Sequence, residues 1–288
     1  MMEKPARNPG LWILMLLLAG LACGKGPSTQ SRPLPPAIAQ LKDQSGGETI
    51  LRAMEAHGGW WAWREKETVE YDFDWTPYTG DGAPGMTSQE HHEFFLSSLT
   101  RMRVERPSDN SIMAFNGRVA WVTQSGIMSQ DITKRAMAQA FLQRAFWIFR
   151  LPFNLVEKGV RLEDEGMDGD LQMVRIYFPV GMSVLPDDWC RAYFDRQTGL
   201  LRRLMMASGQ GKNIIEFSDY REIDGIQIAH RRRIFRVLPP EIRGPQTHEV
   251  EIRNLKYNTA LNADLFDPPE LIRESMPPPP PAGSPPGS

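Results

Sequence analysis

The chain has 288 residues, with 33 Lys and Arg against 35 Asp and Glu and a net charge of −2. A balance this near neutrality carries no basic footprint for nucleic acid, and two cysteines exclude a disulfide-stapled scaffold. Stability must come from a packed core, for which 41% hydrophobic residues supply the material.

The N-terminus is an address. Lys4 and Arg7 precede the apolar run LWILMLLLAGLA at residues 11–22, and Cys23-Gly24 follows at once. This basic, apolar, cleavable layout is that of a secretion signal, and 12 apolar residues are too few to span a bilayer. The segment resembles a bacterial lipoprotein signal, which implies a signal peptide over 1–22 and lipidation of Cys23. Gly20 stands where such signals usually carry Leu, and small residues at 20 and 22 also suit ordinary cleavage, so a soluble periplasmic or secreted chain is the alternative. By analogy with Gram-negative lipoproteins, Gly24 in place of Asp implies delivery to the periplasmic side of the outer membrane. Residues 23–47, rich in Gly, Pro, Ser and Gln, then read as a solvated tether.

A domain is expected over 48–272. Residues 49–57 (TILRAMEAH) place Ile50, Leu51, Met54 and His57 at helical spacing, with Gly58-Gly59 as the stop. Val69, Tyr71, Phe73 and Trp75 then alternate with Glu70, Asp72 and Asp74, the period-2 pattern of a strand with one dry face. Hairpin turns follow at Asn116-Gly117, Asp168-Gly169, Asp195 to Gly199 and Asp224-Gly225, each between apolar-alternating runs. These turns predict an antiparallel meander of about ten strands, which curls because every strand pair adds twist. Residues 131–150 (DITKRAMAQAFLQRAFWIFR) predict one central helix, apolar nearly all round at its end and stopped by Leu151-Pro152. Residues 273–288 close the chain with PPPPPAGSPPGS, a tail that cannot bury apolar surface.

The segments TILRAMEAHGGWWAW, FRLPFNL, YFDRQTGLLRRL, IEFSDYREIDGIQIAHRRRI and HEVEIRNLKYNTALNADLF resemble an uncharacterised group of bacterial envelope proteins related to the LolA/LolB lipoprotein-carrier fold. The resemblance implies a mainly β architecture: a strongly curved antiparallel sheet, an unclosed half-barrel, covered by a central helix and a short N-terminal helix. It also implies an apolar cavity between sheet and helix, with a lipid, a lipoprotein acyl chain or another hydrophobic small molecule as ligand.

Met and aromatic side chains make adaptable apolar walls. Trp75, Met102, Met113, Trp121, Met137, Phe141 and Trp147 are therefore the candidate cavity lining, although the same side chains also serve to fill a core. Trp60, Trp61 and Trp63 follow two glycines so closely that at least one is expected at a cavity rim or facing a membrane. In the basic run from His230 to Arg236, alternation sends His230, Arg232 and Ile234 to one face and Arg231, Arg233 and Phe235 to the other, which predicts a solvated strand with Glu249 and Glu251 as cross-strand partners; a phospholipid-headgroup site is the alternative.

Catalysis is not expected. His91 and His92 point to opposite faces, no HExxH, GxSxG or Gly-rich phosphate loop occurs, and no cofactor is called for. An enzyme would need titratable groups to converge, for instance His91 and Glu93 with His248. Two readings remain. A carrier needs an apolar cavity of roughly several hundred Å³ under the 131–150 helix, whereas a scaffold that engages an envelope protein partner has that space filled.

Overall fold

The computed structural model describes residues 33–97, 100–179, 189–208 and 211–269. Cys23, the signal and the C-terminal tail lie outside them. No helix among the described residues is long and apolar enough to cross a membrane.

The folded part starts earlier than residue 48. Helix α1 (Pro36–Ala39) and a 3-10 turn at Gln40–Asp43 hold Ile38 and Leu41 at 1% and 2% exposure in the core. Two apolar side chains in a Pro-rich stretch are enough to dock it, because burial of each is worth about 1.5–3 kcal/mol. Helix α2 (Gly47–Ala56) buries Ile50, Ala53 and Met54 as its spacing requires. After Gly58 and Gly59, both at positive φ, the three tryptophans form a short helix α3 (Trp60–Arg64) in place of an irregular cluster.

The strands fall into two meanders. The first comprises β1 (Thr68–Pro77), β2 (Ser88–Phe95), β3 (Met102–Arg106), β4 (Ser111–Phe115), β5 (Ala120–Gln124) and β6 (Ile127–Met128). The second comprises β7 (Arg161–Asp168), β8 (Leu171–Tyr177), β9 (Trp189–Asp195), β10 (Leu201–Ser208), β11 (Gly211–Ile223), β12 (Ile226–Leu238) and β13 (Ile242–Tyr257). Every strand pairs antiparallel with its sequence neighbour within a meander, and β1 pairs with β13 to join the two into one sheet of 13 strands. Strands β6 and β7 are its outer edges, so the sheet is unclosed among the described residues.

All four turns sit between the strands they were read to connect. Asp224 and Gly225 both take positive φ, and Asp195 Oδ1 accepts hydrogen bonds from the Gln197 and Thr198 amides at 3.0 and 2.7 Å. Helix α4 (Ile132–Phe149) carries the chain from one edge of the sheet to the other. Its start is fixed by Asp131, whose Oδ1 accepts from the Thr133 and Lys134 amides. The helix packs on β3, β4 and β5, with Leu142, Phe146 and Phe149 buried. The sheet curves round it, so one continuous core runs from the N-terminal helices through both meanders. A smaller apolar cluster of Tyr193, Met205, Ile214 and Phe235 lies on the opposite face of the second meander.

Candidate ligand cavity

Because α4 leans on the first meander, its other flank does not fill the space above β10 to β13. A cavity of about 780 Å³ is left there. On one side stand Met137, Phe141, Arg144, Ala145 and Ile148 of α4; on the other, Tyr71, Phe73, Trp75 and Pro77 of β1, then His92, Met206, Ile215, Ile234 and Val250 of neighbouring strands. The four β1 side chains share a face by strand alternation, and they grade from Tyr71 at 1% exposure to half-buried Pro77. Met137, at 68% exposure, marks the mouth.

The inner end is an aromatic nest. Tyr71 stacks on Phe149 and His92 with centroids at 5.2 and 4.9 Å, and Phe73 approaches His92 at 4.8 Å. His92 is wholly buried, with Nε2 2.8 Å from Glu90 Oε2, while Arg106 Nε donates to the other oxygen at 2.7 Å. Burial pulls the His92 imidazole below its ordinary range, so Nε2–H donates to Glu90 and Nδ1, without a partner, is left as an acceptor. His248 at the wall lies 4.3 Å from Trp75, and burial lowers its pKa as well.

Three of the seven candidate lining residues, Trp75, Met137 and Phe141, are at the cavity. The other four belong to the core. Met102 and Met113 are buried in the first meander, Trp121 is tied down by its Nε1–H donating to the Phe266 carbonyl at 2.9 Å, and Trp147 packs edge-on to Phe178 at 5.3 Å. Trp63 is a core residue rather than a rim residue, stacked on Phe153 at 4.7 Å. Trp60 and Trp61 are half-buried, Trp60 packing against the core, and neither borders the cavity.

His91, Glu93 and His248 do not converge on one cleft. His91 bonds Asp72 at 2.9 Å and Glu93 bonds Arg103, on the face opposite to that which carries His248 into the cavity. Among the described residues no group of three or more His, Cys, Asp or Glu is placed to hold a metal. Cys190 is buried and free. The outward arginines pair with acids, Arg231 with Glu249 at 3.7 Å and Arg233 with Glu216 at 3.5 Å. Arg232 lies at the cavity with Ile234, on the face to which the alternation of the run assigns both.

No protein-family model matches this chain, and no curated protein does. Solved structures do. A DUF1329 family protein from Desulfovibrio piger superposes with a TM-score of 0.54 at 14% identity, covering 78% of this chain and 98% of the other. A domain described as an outer membrane lipoprotein-sorting protein from Vibrio parahaemolyticus gives 0.52 at 11% identity, covering 79% and 97%. A LolA superfamily protein from Nitrosomonas europaea gives 0.49 at 11% identity, covering 77% and 97%. The chain shares the fold of the first two, a LolA/LolB-like half-barrel. Such identities carry architecture rather than residue roles.

Proposed function

We propose that this chain is an envelope lipoprotein that binds a hydrophobic ligand, a lipid or the acyl chain of a lipoprotein, in the cavity under α4, without chemical change. The observation that carries the reading is the cavity itself. About 780 Å³ bounded by aromatic, Met and aliphatic side chains is the size and character of a ligand site rather than a packing fault. A fully packed half-barrel, as the scaffold reading requires, would have no such space. The sorting role named for the Vibrio parahaemolyticus domain supports a carrier. Under this reading 1–22 is the signal, lipidated Cys23 holds the chain at the periplasmic side of the outer membrane, and 273–288 is a solvated tail.

Native mass spectrometry of the chain purified from its own envelope, with lipid extraction, tests the ligand. Co-purifying lipid and uptake of a fluorescent fatty acid are expected, and the absence of both overturns the carrier reading. Labelling with a radioactive fatty acid tests the anchor separately: label should enter the wild type and be lost in Cys23→Ala.

A further inference from the structure

The walls of the cavity are apolar, but its charge is one-sided. Arg144, Arg232 and Arg236 line it, no Asp or Glu does, and none of the three arginines is in an ion pair among the described residues. Their strand neighbours Arg231 and Arg233 both find acids on the outer face, so β12 separates paired from unpaired cations by alternation alone.

Arg232 is the unusual member. It is 8% exposed, its Nε has no hydrogen-bond partner, and its guanidinium lies 5.6 Å from the centre of the Phe217 ring. The titratable groups that face it are the phenols of Tyr71 and Tyr220, which are neutral, and the imidazoles of His92 and His230, whose pKa burial lowers, so none of the four supplies a negative charge. Glu90, the buried carboxylate that acts on the same tyrosine, has both oxygens engaged by His92 and Arg106. A buried guanidinium without a counter-ion has already lost its water, so an anion that reaches it gains nearly the whole pairing interaction. Arg236, four residues on and exposed at the mouth, keeps its water and would gain little from the same anion.

We infer that the cavity takes an amphiphile with an anionic head, a carboxylate or a phosphate, which pairs with Arg232 while the hydrocarbon tail lies along Trp75, Phe141, Ile215 and Ile234. This rests on the cavity being a ligand site at all, and the test separates the two claims. The full chain is loaded at pH 8 with N-phenyl-1-naphthylamine, a neutral fluorescent probe. The probe is then displaced by palmitate or hexadecyl phosphate, each below its micelle concentration, or by hexadecanol below its solubility limit.

One or both anionic amphiphiles should displace the probe at concentrations at least tenfold below hexadecanol, and their order distinguishes a carboxylate site from a phosphate site. In Arg232→Gln that advantage should vanish while hexadecanol is unchanged, and Arg232→Lys should restore part of it. Should Arg232→Gln fail to fold, the comparison of heads in the wild type still decides. Equal displacement by all three overturns the head assignment and leaves the apolar cavity standing. If neither the probe nor any amphiphile enters, the ligand site itself fails and the head assignment fails with it.

Discussion

At the residue scale the buried histidines set the acid limit of the fold. His57 ends α2 and its Nδ1–H donates to the Ala53 carbonyl at 2.7 Å, with the ring edge-on to Tyr220 at 5.6 Å. Burial outweighs that hydrogen bond and lowers its pKa to about 4. The unfolded chain, near 6.5, therefore binds the proton more readily than the folded one. The contribution of His57 is whole above pH 6.5 and is lost as pH falls towards 4, up to about 3 kcal/mol. His92, His230 and His248 are shifted the same way, so urea denaturation of the wild type should weaken steeply over that range. His57→Gln should remove about one proton from the slope of stability against pH between 6.5 and 4, and an unchanged slope would refute this account. Cys190 obeys the same physics with the opposite charge: burial at 0% exposure raises its thiol pKa, so it is neither thiolate nor accessible. In Cys23→Ser chain, a thiol reagent should find no reactive sulfur at pH 8 until denaturant is added.

At the element scale one tight joint is where α2 meets the β11–β12 hairpin. The His57 carbonyl accepts from the Gln227 amide at 3.1 Å, and a Cβ on Gly58, whose φ is 112°, would stand 2.0 Å from the Gly225 carbonyl oxygen. Gly58→Ala thus meets both a forbidden backbone region and a clash with backbone, and should cost about 3 kcal/mol or more by urea titration, where Gly80→Ala, with nothing nearby, should cost under about 0.5. Local signals of this sort explain what could be read in the sequence. Asn-Gly and Asp-Gly mark hairpins because their positive φ excludes most residues, and the Asp131 cap and Pro152 bound α4, so the meanders and the helix were legible. The pairing of β1 with β13 was not, since no local residue choice records a contact across the length of the domain. Nor was the docking of α1, where Ile38 and Leu41 are hidden among prolines and polar residues. The cavity lining was half legible for a related reason. Met and aromatic residues fill cores and line cavities alike, so Trp121 and Trp147 could not be told from Trp75 and Phe141 by type; only the placement of α4 separates them.

At the scale of the whole molecule the question is why a half-barrel keeps a space that a few larger side chains would close. Ala145 lies on the flank of α4 that borders the cavity, half-buried, and its small side chain leaves volume where Leu142 and Phe146 fill theirs. Were the cavity an accident of packing, filling it would bring stability at no cost, since added apolar contact in an empty space is worth about 1 kcal/mol or more. Were it a ligand site, the same change would exchange function for stability. Ala145→Trp puts an indole into the space beside Phe141 and Ile148, far along α4 from the cap at Asp131. The variant should unfold at the same urea concentration as the wild type or higher, and its uptake of a fluorescent fatty acid should fall at least tenfold. Ala136→Trp, exposed on the same helix and away from the cavity, should change neither. A well-folded Ala145→Trp chain that still takes up fatty acid as the wild type does would place the ligand elsewhere and return the half-barrel to the scaffold reading. Loss of uptake with stability retained would tie the unfilled volume under α4 to binding, because nothing else in the molecule would have changed.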